Sequence, residues 1–422
     1  MTSRLNLANE LFPAYARLVY SLEMSLESVG SSLFQNDEQV ELQKMRSHLT
    51  ATQNDELDGH IRTLRDVLND FIGRGQEKRV TYPVIIKPED ADVGALFTHF
   101  TLSAYMSLHR NRRDFACAAA IVSIDSAFEI YCGELYRHFY STRPAAIPGQ
   151  PSVGLDRILS ANDKDEIVKD VVDMQVGKEM QKSVSDWLEA LAQHCDVVLP
   201  TRTWAWGDPW KTICRLSAFR NSIVHAGGDI DRQLVDRLSK IGESAIYSER
   251  IGDRLKVRED DIRHSVSKYL EASSLLYLGF CRKQASASGR MESEAQAYLQ
   301  ISNIQWDLIS REKYSLAAII GSCRSLLSDG EDYRPIDLAT WTCAAFLGQS
   351  SMPPDIESVP WRKDVQSVLH RTAILGTKED LLALVKDVVD KNGIPRMAIV
   401  LLPEFSLVRK ILADELESLL VE

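Results

Sequence analysis

The chain has 422 residues, of which 45% are hydrophobic and 26% are charged, an ordinary composition for a folded protein that buries a substantial core. Its formal net charge of -11 excludes an overall basic character, so a nucleic acid would have to be met by a local basic cleft. Seven cysteines occur without any C-x-x-C pair, which argues against a zinc site or a disulfide framework and favours a reducing, cytoplasmic compartment.

Neither an N-terminal signal peptide nor a long apolar stretch is evident in the sequence. The first residues, MTSRLNLANELFPAY, lack a basic region followed by an apolar run, so no signal peptide is expected. No stretch approaches the roughly 20 apolar residues that cross a bilayer, so no membrane partner is expected either.

Residues 1–90 are predicted to form an N-terminal helical unit. Apolar side chains recur at helical spacing over residues 56–72, which predicts an amphipathic helix. Residues 73–94 hold glycines, prolines and a charged run, and they predict a linker with a short extended piece at 80–86.

Residues 91–285 are predicted to form a second helical unit. It opens with a long helical pattern over residues 114–140, in which Asp125 and Glu129 stand four residues apart among apolar side chains. Prolines and glycines between 144 and 154 break the pattern, and further helices follow as far as residue 282.

A third helical unit, residues 286–422, is predicted beyond the small and polar linker at 284–290. Residues 345–348 and 373–376 each look like a helix closed by a C-cap glycine, which suggests a helical-hairpin repeat. The predicted fold class is therefore all-α, in three parts.

One helix in the second unit carries the candidate site. Asp208-Pro209 predicts its start and Gly227-Gly228 its end. Arg220 falls on an apolar stripe formed by Ile213, Leu216, Ile223 and Val224. An arginine in such a stripe needs a carboxylate or a ligand anion.

Glu129, or else Asp125, is the predicted carboxylate partner of Arg220. Two alternatives stay open at this stage. The acids would face water if their helix were rotated, and Arg220 would be an ordinary core arginine with one buried salt bridge.

A second stripe of the same helix holds Cys214, Ala218, Asn221 and His225. Asn221 lies one turn before His225 and could orient the imidazole. The small Cys214 and Ala218 would let another helix approach, with that of a twin subunit as the obvious candidate. The last helical turn favours a charged imidazolium, which suits a general acid, although a histidine there can also simply cap carbonyls.

One imidazole and one guanidinium side by side suit RNA cleavage without a metal. The 2′-hydroxyl attacks the adjacent phosphate, a histidine moves the protons and an arginine stabilises the developing charge. No Walker loop, H-E-x-x-H, G-x-S-x-G or G-x-G-x-x-G is present, and neither a metal nor a cofactor is expected.

The segment Phe219–Gly228 matches the R-N-x-x-x-H form of the motif shared by nucleases of the HEPN superfamily, which the chain resembles. The helix around Ala118–Leu135, with its embedded acid, resembles the family's early helix. The segments Asp229–Leu238 and Ile251–Val257 resemble those that follow the motif in bacterial members. The resemblance covers about the middle half of the chain.

The resemblance implies a HEPN-type helical bundle and a metal-independent endoribonuclease, of the kind that serves in toxin–antitoxin systems or as an abortive-infection effector in antiviral defence. Arg220 would bind the scissile phosphate, His225 would be the general acid and base, Asn221 would orient His225 and Glu129 would support Arg220. The expected partners are the RNA substrate, a second copy in a homodimer or higher homo-oligomer, and an antitoxin or sensor protein.

Two other interpretations assign the chain to a different class of protein. A non-catalytic HEPN-fold scaffold or partner-binding module would suit the acidic charge, and a nucleotide-binding regulator is a third reading. Trp204, Trp206 and Trp210 could stack on bases or pack a loop onto the core. An RNA path or a solvated helix start would equally explain the basic residues His109, Arg110, Arg112, Arg113, Arg202, Lys211 and Arg215.

Overall fold

The computed structural model describes residues 7–30, parts of 46–62, then 102–149, 153–195, 207–288, 292–322, 335–347 and 361–415 without 362 and 392. The predicted linker at 73–94 lies outside the described residues, as does nearly all of the predicted helix at 56–72.

All regular secondary structure in these ranges is helical, which confirms the predicted all-α class. The helices are α1 Leu7–Gly30, α2 Leu102–Thr142, α3 Leu155–Ser160, α4 Lys164–Met180, α5 Val184–His194, α6 Gly207–Ala226, α7 Arg232–Ser239, α8 Ala245–Ser248, α9 Glu259–Ser288, α10 Glu292–Ser310, α11 Tyr314–Ser322, α12 Pro335–Leu347, α13 Val365–Leu375, α14 Lys378–Asp390, α15 Arg396–Leu401 and α16 Ser406–Ile411. Short 3-10 turns occur at Pro144–Ala146 and Pro403–Phe405.

The centre of the molecule is built from α2 and α9, which pack against each other and each contact both α1 and α6. Apolar side chains from α2 fill the space between these helices, among them Ile121, Ile124 and Phe128. The ring of Phe128 meets the edge of Tyr269 from α9, with ring centroids 5.0 Å apart. This central packing fixes α6, the motif helix, against the acidic positions of α2.

The segment Asp114–Thr142 of α2 is long and apolar enough to cross a membrane by length and composition, contrary to the prediction that no stretch approaches that length. The fold gives this composition a second explanation. Since α2 packs against α1, α4, α6 and α9, it needs apolar side chains around most of its circumference.

Within the described ranges, the core consists of two hydrophobic clusters. The larger one takes residues from α1, α2, α6 and α9 to α12, so all three predicted units contribute to it. The smaller one lies among α13 to α16 and includes Leu369, Leu381 and Phe405. The division at residues 90 and 285 stays a prediction about how the chain is organised.

Two local predictions are corrected. The predicted linker at 284–290 is helical as far as Ser288, because α9 continues through it. Gly376 does follow a helix, but its φ of -88° is not left-handed. A Cβ at Gly376 would lie 2.7 Å from the carbonyl oxygen of Thr372, so close approach of the backbone explains the glycine.

Candidate active site

The motif helix α6 ends where the glycine pair predicted, since Gly227 and Gly228 have φ values of 64° and 86°. The Gly228 N–H donates to the carbonyl oxygen of Ser222 at 3.0 Å. The Ser222 hydroxyl in turn donates to the carbonyl oxygen of Asp229 at 2.8 Å. These bonds tie the last turn of α6, which carries His225, to the segment that follows it.

The two segments downstream of the motif meet in an isolated antiparallel bridge between Asp229 and Arg254. The Ile230 N–H donates to the Asp253 carbonyl oxygen at 2.8 Å, and the Leu255 N–H donates to that of Gly228 at 2.7 Å. The end of α6 is therefore braced by backbone hydrogen bonds to the segment that ends near Leu255.

The buried face of α6 differs from the predicted stripe at its C-terminal end. Ile213 and Leu216 are buried as predicted, and Phe219 joins them. Val224 is 50% exposed instead, because the last turn of α6 extends beyond the side chains that cover the rest of the helix. An apolar surface therefore adjoins His225.

Arg220 makes the ion pair with Glu129 that the sequence predicted, with 3.6 Å between Nη2 and Oε2. Its Nη1 donates to the side-chain oxygen of Asn221 at 3.1 Å. Its buried Nε has no hydrogen-bond partner in the part of the chain that the structure describes. The guanidinium is thus oriented by two neighbours but keeps spare donor capacity.

Asp125, the alternative partner, is buried one turn before Glu129. Its Oδ1 accepts a hydrogen bond of 2.7 Å from the Tyr269 hydroxyl, and its buried Oδ2 has no hydrogen-bond partner within the described ranges. Burial raises the pKa of Asp125 to about 7, and the nearby Glu129 carboxylate acts in the same direction. This rise in the pKa is partly offset by the Tyr269 hydrogen bond, the Arg220 charge and Ser217.

The structure brings three of the four predicted site residues, Arg220, Asn221 and Glu129, into direct contact. His225 is exposed one turn along α6, at the end of the helix. Asn221 gives its oxygen to Arg220, and no hydrogen bond joins it to His225 within the described residues. Asn221 therefore orients the guanidinium, and its predicted role toward the imidazole stays a prediction.

A cleft of about 610 Å³ opens beside Arg220 and Asn221, between α6, the start of α5 and the end of α7. Cys214 and Ala218, which were expected to receive a twin subunit's helix, line this cleft. Within one chain their small side chains therefore leave room for the cleft, with residues of α5 on its other side.

The cleft supplies basic residues that the sequence pattern did not single out, namely Lys182, Arg237 and Lys240. They can be recognised as a group only from the folded structure, since they come from two separate loops and helix ends. Of the basic residues proposed earlier, Lys211 is exposed outside the cleft and Arg215 lies 3.7 Å from Glu243. The side chains of His109, Arg110, Arg112, Arg113 and Arg202 lie outside the described residues.

Of the three tryptophans before the motif, Trp210 is partly buried and lines the cleft. Trp204 and Trp206 lie outside the described residues.

In comparisons with protein-family models, with curated proteins and with solved structures, nothing matches this chain. The resemblance to HEPN nucleases consequently depends on the motif of α6 and on the acidic positions of α2. Among the described residues, no group of three or more histidine, cysteine, aspartate or glutamate side chains is placed to hold a metal ion.

Proposed function

We propose that this chain is a metal-independent endoribonuclease of the HEPN type. The 2′-hydroxyl of a ribose attacks the adjacent phosphate, the bond to the 5′-oxygen breaks, and a 2′,3′-cyclic phosphate and a 5′-hydroxyl result. His225 moves the protons of this reaction, and Arg220 stabilises the charge that develops on the phosphate oxygens.

The observation that carries this proposal is the state of Arg220. Glu129 and Asn221 hold its guanidinium beside the open cleft, and 26% of the side chain is exposed. A planar guanidinium that is oriented in this way and partly exposed suits a phosphate, which binds such a fork in a bidentate manner. Arg237 and Lys240 add positive charge to one side of this cleft, where the phosphates of an RNA could be met.

His225 supports the catalytic role by its accessibility. It is exposed in the last turn of α6, so its imidazole is open to a bound RNA. Four residues separate it from Asn221, which is about 6 Å along an α-helix axis. A phosphate held by Arg220 would therefore lie within reach of a proton carried from the adjacent turn.

The active form in this proposal is a homodimer or a higher homo-oligomer in the cytoplasm. Val224, beside His225, and Ile130, beside Glu129, are 50% and 64% exposed. Apolar side chains next to both parts of the site suit burial by a second copy.

The six described cysteines are free thiols, which suits a reducing compartment. The role of the chain would be that of a toxin or abortive-infection effector, controlled by an antitoxin or sensor partner.

A non-catalytic scaffold is the second candidate, and one observation favours it. His225 lies outside the cleft lining, and no side chain among the described residues holds its imidazole by a hydrogen bond. A histidine used only as a surface residue would have these properties too.

Cleavage of total RNA by the purified chain in EDTA separates the two candidates. The nuclease proposal expects cutting by the wild type and its loss, by about 10²–10⁴-fold, in His225→Ala. His264→Ala is the control, because His264 is also exposed and lies on α9, where its ring contacts Thr212 about two turns before Arg220. Intact RNA with the wild-type protein, or equal cutting by His225→Ala, would contradict the proposal.

A further inference from the structure

The cleft beside Arg220 has the dimensions of a ligand site. It follows α6 from Trp210 to Asn221, eleven residues or about 16 Å along the helix axis. Its volume of about 610 Å³ falls in the range of roughly 300–1,000 Å³ that is usual for small-molecule sites. Arg220 lies near one end of this length, so a nucleotide that fills the cleft would extend to it.

The charges of the cleft are divided between its walls. Arg237 and Lys240, at the end of α7, are exposed and form no ion pair within the described part of the chain. On α5, Glu189 is exposed and likewise has no partner there. The remaining charges are engaged, since Lys182 lies 2.6 Å from Glu179 and Asp186 accepts a hydrogen bond of 2.6 Å from Ser183.

A wall with free cations suits a phosphate, and a free carboxylate on the other wall suits a group that donates hydrogen bonds. Among RNA bases, guanine alone presents two adjacent N–H donors on its Watson–Crick edge. Adenine and cytosine place an acceptor next to their amino group, and uracil has a single N–H between two carbonyl oxygens. A carboxylate with two oxygens therefore matches guanine best.

We propose that the cleft binds one unpaired guanosine nucleotide of the RNA, next to the phosphate that is cut. Arg237 and Lys240 bind the phosphate of this nucleotide, and Glu189 accepts hydrogen bonds from the guanine edge. The partly buried indole of Trp210 is the aromatic side chain available for stacking. This inference depends on the proposed function for the identity of the ligand as RNA.

Binding of an oligonucleotide that cannot be cut tests the site separately from catalysis. The probe is a fluorescein-labelled single strand of 2′-deoxyribonucleotides with one guanine among thymines, followed by anisotropy. Replacing guanine by hypoxanthine removes one N–H donor and is expected to weaken binding about tenfold. Glu189→Gln should abolish this difference, because an amide cannot accept two hydrogen bonds in the same way.

The double variant Arg237→Ala/Lys240→Ala tests the opposite wall. Loss of both cations that neutralise this phosphate should weaken binding about tenfold and reduce the salt slope by about 0.7. The matched control is Arg232→Ala/Lys256→Ala, which removes the same charge from exposed positions outside the cleft. All four side chains are exposed, so both double variants are expected to fold, and thermal unfolding checks this.

The outcomes distinguish the subsite from the nuclease. Guanine-dependent binding together with intact RNA would leave the subsite in place and overturn the nuclease. RNA cleavage whose positions ignore guanine, with binding unchanged in Glu189→Gln and in Arg237→Ala/Lys240→Ala, would overturn the subsite alone. Free guanosine 5′-monophosphate that binds as tightly as the oligonucleotide would assign the cleft to a free nucleotide and overturn its role in RNA binding.

Discussion

Two arginines of this chain bind carboxylates in opposite ways. Arg311, just after α10, donates from Nη1 to both oxygens of Glu23 at 2.7 Å and from Nη2 to Asp307 at 2.7 Å. Its guanidinium also lies 5.2 Å from the ring centroid of Tyr20. Arg220 approaches Glu129 only to 3.6 Å and has a buried Nε without a partner in the described residues.

Exposure does not account for this difference, because the Arg311 side chain is 38% exposed and that of Arg220 is 26% exposed. The difference lies in how many donors each guanidinium uses within the chain. Arg311 joins α1 to the end of α10 and has little donor capacity left. Arg220 is held loosely beside a cleft, which is what an arginine that binds an external anion requires.

The largest expected effect on stability is that of Arg311→Ala. The variant leaves Glu23, whose side chain is 3% exposed, without its ion-pair partner. We expect the free energy of unfolding to fall by about 3–5 kcal/mol in urea denaturation, with unchanged RNA cleavage by the folded protein. Asp307→Ala is the control and should cost less than about 1 kcal/mol, because Asp307 is 43% exposed.

Arg220→Ala should reduce RNA cleavage with little effect on stability, the reverse of Arg311→Ala. We expect kcat/KM for RNA cleavage to fall about 10²–10³-fold, since a donor to the transition-state charge is lost. The free energy of unfolding should change by less than about 1 kcal/mol, because the pair with Glu129 is long and partly exposed. If Arg220→Ala destabilises the fold as much as Arg311→Ala, the two arginines have the same structural role.

Asp125→Asn tests the buried carboxyl behind Arg220 through pH. The folded pKa of about 7 lies above the ordinary value of 3.8, so the folded protein keeps a proton that the unfolded chain releases. The stability of the wild type should therefore fall as the pH rises from about 4 to about 7. The variant lacks this dependence, and its gain in unfolding free energy over the wild type should grow by about 3 kcal/mol between pH 5 and pH 8.

Urea denaturation at pH 5 and at pH 8 measures this change. Asn can still accept the hydrogen bond from Tyr269, so Tyr269→Phe serves as the control for loss of that bond alone. An advantage of the Asn variant that is the same at both pH values would mean that Asp125 is ionised in the folded protein throughout this range.

Glu129→Gln should have the smallest effect. The amide keeps the shape of the side chain but removes the charge that faces Arg220 at 3.6 Å, so we expect kcat/KM to fall about fivefold, near 1 kcal/mol. Glu134→Gln on the same helix is the control, because Glu134 pairs with Arg137 instead. Full activity in Glu129→Gln would show that Asn221 suffices to hold the guanidinium.

Much of the site follows from local sequence rules. Acids four residues apart on an apolar helix predicted a carboxylate for Arg220, and the pair with Glu129 is present. The glycine pair predicted the end of α6, and both glycines are left-handed. These features depend on helix periodicity and on single-residue backbone preferences, which the sequence displays directly.

The remaining features depend on contacts between distant segments. The Tyr269 hydroxyl bonds to Asp125 across 144 positions of the chain, and Asp125 rather than Glu129 is the buried acid. The cleft arises where α5, α6 and α7 meet, so Lys182 and Lys240 have no local pattern that connects them. The predicted burial of Val224 was wrong for a related reason, since periodicity does not show where neighbouring helices stop covering a helix.

The glycine pair at the end of α6 has a genetic consequence. Gly228 has a φ of 86° and its N–H fixes the carbonyl oxygen of Ser222, within the turn that carries His225. Any other residue at Gly228 is strained, whatever its chemical character. Under the proposed nuclease function, a selection for cells that survive expression of this chain should therefore recover inactivating mutations at Gly227 and Gly228 as well as at the codons for Arg220 and His225.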